Sequence, residues 1–174
     1  MRTLLLALLI LPALTAARAQ QADETAPVQR HLHNLRLGDG LEDARRIYPP
    51  AQEWPSTSEK HGVTRYALTH GTAKSFPRGV ETLYLGFQYG KLVEIEAVYD
   101  EVQSRAQTVE MLAGVYALDY GAPKRSGERF WWSDGKTVLR VFPAELPDAK
   151  GGENAVVWRT AVQIFDKSLA GRAD

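Results

Sequence analysis

Between Thr82 and Tyr99 the chain sorts its side chains by parity: Leu83, Leu85, Phe87, Val93, Ile95, Ala97 and Tyr99 are odd-numbered, while Thr82, Tyr84, Gln88, Glu94 and Glu96 are even. A period of two places the first set on one face of a strand pair and the second on the other. Such a pair must bury one face and wet the other, as an antiparallel hairpin in a half-covered sheet does. Parity also constrains the turn. A two-residue Tyr89-Gly90 turn alone would set Leu85 against Glu94 and carry carboxylates onto the apolar side, because a slip of one residue inverts every side chain. The sequence therefore predicts a three-residue Gln88-Tyr89-Gly90 turn with Gly90 left-handed, Leu85 opposite Val93 and Leu83 opposite Ile95.

The remaining elements follow from the same kind of reading. Val63 to Thr69 is a strand by pattern, and Pro50–Gly62 and Gly71–Gly79 are loops. Phe130–Ser133 and Thr137–Phe142 flank Asp134-Gly135, a strong hairpin signal. A two-residue turn there puts Phe130, Trp132, Leu139 and Val141 on one face and Arg129, Trp131, Val138 and Arg140 on the other. After a loop over Pro143–Asn154, a last strand from Ala155 to Phe165 turns Val156, Trp158, Val162 and Ile164 inward. Asp39 and Glu42 form a capping box for a short helix carrying Leu41, Ala44, Ile47 and Tyr48, which Pro49-Pro50 stops. Val102, Ala106, Val109, Ala113, Tyr116 and Tyr120 make the apolar stripe of a helix of about five turns, closed by Gly121 and Pro123. The predicted fold is α+β, an antiparallel sheet of about six strands with two helices on one face, in the order α-β-β-β-α-β-β-β.

The first residues read as an address. Met1-Arg2-Thr3 is a basic start, Leu4 to Leu11 is unbroken apolar, and Ala17-Arg18-Ala19 offers the small residues of a cleavage site. The sequence predicts a signal peptide over 1–19 cut between Ala19 and Gln20, a flexible leader over 20–31, a single domain over 32–168 and a frayed tail over 169–174. The uncharged stretch falls short of the ~20 residues that span a bilayer, so the mature chain is expected to be exported, to the periplasm or the medium, with no transmembrane segment.

Composition narrows the function classes. Losing Arg2 and Arg18 leaves 19 basic residues against 21 acidic ones, a balance that disfavours a nucleic-acid partner. With no cysteine the chain forms no disulfide, thiolate metal site, cysteine nucleophile or cysteine-borne lipid anchor. The signatures G-x-S-x-G, H-E-x-x-H, G-x-x-x-x-G-K and G-x-G-x-x-G are absent, and neither a catalytic set nor a cofactor is expected. His31 and His33 can share one side of an extended segment but lack a third ligand, so they are read as solvated and no metal is expected. Glu94 and Glu96 share a strand face, as a carboxylate pair for acid–base work would. The solvent face of the sheet accounts for them equally in geometry and is the favoured reading.

Tryptophan gives the most pointed signal. Trp132 and Trp158 have apolar neighbours at period two and are explained by packing. Trp131 alternates with Arg129 and faces the side of Arg140, and Trp54 lies on a loop. Tryptophan with arginine is frequent at contact surfaces, because both pack flat, so Trp131, Arg129, Arg140 and Trp54 are the candidate binding residues.

Leu37-Gly38 before a capped helix, and Tyr120-Gly121-Ala122-Pro123 closing the second, resemble the small outer-membrane-assembly lipoproteins of the SmpA/OmlA type. The doubled helix-plus-sheet order is similar to that of secreted β-lactamase-inhibitor proteins, whose two modules form a saddle that grips another protein. The lipidated cysteine of the first family and the disulfides of the second have no counterpart here, and no binding residue carries over. The resulting expectation is a non-catalytic module of the cell envelope that binds an unidentified protein or envelope component through its open sheet face. The alternative is a small periplasmic enzyme using the sheet-face carboxylates.

Overall fold

The computed structural model describes residues 26–60, 62–148 and 155–168. The signal segment with its cut site and the tail beyond Ser168 lie outside the described residues. The first element among the described residues is a small hairpin of β1 (His31–Leu32) and β2 (Leu35–Arg36), whose turn residues His33 and Asn34 both take positive φ. Then come α1 (Leu41–Ile47), β3 (Ser56–Lys60), β4 (Val63–Leu68), β5 (Val80–Gln88) and β6 (Lys91–Tyr99). The second half repeats the plan with α2 (Glu101–Ala106), α3 (Val109–Tyr120), β7 (Lys124–Ser126), β8 (Arg129–Ser133), β9 (Thr137–Pro147) and β10 (Val156–Asp166). All strands from β3 onward form one antiparallel eight-stranded sheet in the order β3-β4-β5-β6-β10-β9-β8-β7. Two four-stranded meanders thus meet through their last strands.

One face of the sheet carries the main core. Leu83, Leu85, Ile95, Leu139, Val141, Val162 and Ile164 are wholly buried there, joined by Ala44 and Tyr48 around α1 and by Val109, Leu112 and Ala113 of α3. The opposite face bears a smaller apolar cluster of Val98, Ala144, Leu146 and Ala161, with Tyr84, Phe142 and Val157 packed against it. The N-terminal segment fastens the far half: the Val28 amide donates to Asp134 Oδ2 at 2.8 Å, and Arg30 reaches Thr137 Oγ1 at 2.8 Å and Asp166 Oδ2 at 3.3 Å. Val28 is thus already buried, inside the stretch expected to be a flexible leader.

Several expectations are corrected. The main sheet has eight strands, not six, because β3 and β7 are polar edge strands held by backbone pairing and show no apolar alternation to read. β9 continues to Pro147 through a stretch expected to be loop; Pro143 and Pro147 lie past the end of β8, where no neighbour on that side requires their missing amides. The β5–β6 connection is a two-residue Tyr89-Gly90 turn, with φ of 49° and 73°. A bulge between Gly86 and Phe87 on β5 and Leu92 and Glu94 on β6 restores the parity, so Leu85 faces Ile95 and Leu83 faces Ala97. The long second helix is two helices, broken where the Thr108 hydroxyl accepts from the Met111 amide and caps α3. The first helix is capped one residue later than expected, at Gly40 with Asp43, while Asp39 accepts from the Arg36 amide. Val156 and Trp158 have the predicted parity but extend past the covering helices and are exposed.

Glycine at position 86 is required by space. A Cβ there would lie 3.0 Å from Glu94 Cβ and 3.1 Å from Val63 Cγ1. Gly86→Ala is expected to lower stability by about 1–3 kcal/mol in urea denaturation. Gly114→Ala, in the interior of α3 with nothing within 4 Å of the added carbon, should raise it by about 1 kcal/mol.

Candidate functional site

Pairing register brings the functional residues of the open face into rows that cross the sheet. Arg65 of β4 lies opposite Gly86 of β5, which lies opposite Glu94 of β6, which lies opposite Phe165 of β10. The adjacent row runs Ala67, Tyr84, Glu96, Gln163, Arg140 and Trp131, ending on Lys124 at the sheet edge. Every residue named in these rows has the parity opposite to the main core.

At the centre, Arg65 stretches across the side-chain gap left by Gly86. Its Nη2 donates to Glu96 Oε2 at 2.7 Å and lies 3.4 Å from Glu94 Oε1, and its guanidinium carbon is 4.1 Å from the centre of the Tyr84 ring. From the other side Gln163 Nε2 donates to Glu94 Oε1 at 2.9 Å and to Glu96 Oε2 at 3.0 Å. Two carboxylates are thus held together by one guanidinium and one amide. Glu96, only 8% exposed, has its carboxyl pushed up to about 7, chiefly by burial and further by Glu94, against the pull of Arg65 and Arg140. The solvated carboxylate face expected from sequence is in fact a packed ion network, and Glu94 and Glu96 do come together.

Towards β7 the face becomes cationic and aromatic. Trp131 and Arg140 are cross-strand partners, as are Trp131 and Lys124. The Arg140 guanidinium lies 4.5 Å from the centre of the Phe165 ring. Arg129 and Lys124 are exposed, Trp131 and Arg140 half-buried. On this side of β7, β8 and the first half of β9 the remaining residues are Ser126, Ser133, Val138 and Phe142, and Lys124 and Arg129 make no ion pair among the described residues.

Trp54 does not belong to this surface. It is 3% exposed, packed edge-on to Tyr66 with Arg45 over its ring, and is a core residue. Its loop position concealed that the following strand, β3, draws it over the core. His31 is exposed while His33 is half-buried, edge-on to Tyr99, where partial burial lowers its pKa. Among the described residues no three His, Asp or Glu side chains converge as metal ligands. Arg65 and Gln163 were missed by sequence reasoning, although two carboxylates at alternate positions in a central strand demand a cation, and Arg65 is the one cation in β4, which lies two strands away across Gly86.

Comparison with protein-family models, with curated proteins and with solved structures finds no match.

The raised Glu96 pKa has a definite sign for stability. Between about pH 4.5, the ordinary value for this carboxyl, and about pH 7, the folded chain holds a proton that the unfolded chain has released. Stability therefore falls as pH rises through that window and stays lower above it, by of order 2–3 kcal/mol from this group. Urea denaturation at pH 5 and pH 8 should show wild-type stability falling relative to that of Glu96→Gln, a difference that leaves out the opposite contribution of His33, whose lowered pKa both proteins share.

Proposed function

We propose that this protein is an exported, non-catalytic binding module whose open sheet face receives an acidic segment of a partner protein of the cell envelope. The observation that carries the reading is the strip of Lys124, Arg129, Trp131 and Arg140, cationic and aromatic, in which exposed Lys124 and Arg129 make no ion pair among the described residues. A flat aromatic beside guanidinium groups is the composition of interface hot spots, and exposed positive charge, here Lys124 and Arg129, selects and steers a negative partner. The network of Arg65, Glu94, Glu96 and Gln163 cross-links the centre of this face through hydrogen bonds to both carboxylates, so that binding orders few side chains. Basic start, apolar run and small-residue site at the N-terminus support export.

A second reading, acid–base catalysis by Glu96, draws on its pKa near neutrality. It predicts that Glu96→Gln abolishes a turnover that Trp131→Ala leaves intact.

The binding reading predicts that Trp131→Ala with Arg140→Ala keeps the wild-type unfolding midpoint and loses capture of the envelope proteins the wild type retains. Lys124→Glu with Arg129→Glu, altering only exposed side chains, should weaken capture at least about tenfold. Wild-type capture should fall as salt is raised. Capture unchanged in both variants removes the strip from consideration.

A further inference from the structure

On the other side of the sheet, a cavity of about 310 Å³ opens where the α2–α3 junction passes over Pro143 of β9 and the first half of β10. Its size is within the range of small-ligand sites. Trp158 lines it and is 59% exposed, although its parity on β10 is that of the core residues Val162 and Ile164. β10 continues beyond the cover of the helices, and the ring is left standing at the cavity's side.

The charges around that ring are unequal. Of the two cations lining the cavity, Arg105 pairs with Glu101, and Arg159 with Glu81 at 3.1 Å. Glu110 at the start of α3 and Glu128 in the β7–β8 turn line the same cavity and make no ion pair among the described residues. Glu145 is the cross-strand partner of Trp158 on the same face, exposed and likewise without an ion pair there. The cavity therefore offers an indole and two lining carboxylates, Glu110 and Glu128, without an ion pair among the described residues, with Glu145 opposite the indole on the next strand, while its cations are already engaged. A cation is attracted to the face of an indole more strongly than to any other side-chain ring, and carboxylates beside the ring add to that attraction.

We infer that this cavity binds an organic cation, an ammonium or guanidinium group, against Trp158. The group can belong to a free small molecule or to a lysine or arginine side chain of another protein. Of the four tryptophans, Trp54 and Trp132 are buried and Trp131 lies on the opposite face, so a Trp131→Phe background leaves Trp158 as the solvent-accessible reporter of fluorescence.

In that background, the mature chain titrated with choline should show saturable quenching. The uncharged carbon analogue of choline, with carbon in place of nitrogen, should show none. By calorimetric titration, Trp158→Leu should abolish choline binding, and Glu110→Gln with Glu128→Gln should weaken it about tenfold or more. A glycine-rich pentapeptide with one central arginine, compared with choline and arginine amide, separates the two sources: tighter binding of the peptide assigns the site to a protein side chain, and tighter binding of the free cations to a small molecule. Equal response to choline and its carbon analogue, unchanged binding in the double glutamate variant, or no saturable response to any of these probes would overturn the inference.

Discussion

The antiparallel pairing of β6 with β10 is the contact on which the rest of the sheet depends. Each strand ends a four-stranded run, and their junction turns two narrow meanders into one broad sheet. Its two faces are stabilised by different physics. On the helix side, Ile95, Ala97, Val162 and Ile164 are removed completely from water, and apolar burial supplies the driving force. On the open side, the same strands place Glu96 beside Gln163, and polar groups are tolerated at depth because each is hydrogen-bonded.

A buried carboxylate is a costly choice for the middle of a sheet unless a cation and hydrogen bonds accompany it. Here the cation arrives from two strands away, which is possible only because the intervening residue is Gly86. The absence of a side chain at one position, the length of arginine at another and the amide of Gln163 at a third are parts of a single solution. The same solution leaves Arg140 on the far side of Gln163 to stack on Phe165, joining the network to the aromatic strip that is proposed to meet the partner.

Alternation assigns Leu85, Ile95, Leu139 and Ile164 to the covered face, and all four are fully buried there. It succeeds because a period of two is a property of the strand itself. It does not reveal where cover stops. Trp158 obeys the period and is nevertheless exposed, since the helices end short of it, and Trp54 lacks any period and is nevertheless enclosed. Edge strands β3 and β7 were illegible because their stability comes from main-chain hydrogen bonds, which leave no mark on side-chain type. The bulge opposite Gly86 escaped for a related reason: a three-residue turn and a two-residue turn followed by one extra residue preserve the same parity. The trio of Trp131, Arg129 and Arg140 was readable from spacing, whereas Arg65 required knowing which strand lies beside which.

The fastening of Val28 and Arg30 to Asp134, Thr137 and Asp166 joins the opening residues of the first half to the last hairpin and final strand of the second. The repeated plan of helix and meander suggests two units that could be parted, but this clasp ties the chain's beginning to its end. A fragment stopping at Tyr99 would carry the clasp with nothing to grip. The halves are therefore one cooperative body, and during synthesis the N-terminal segment must wait unsecured until the final strand has emerged.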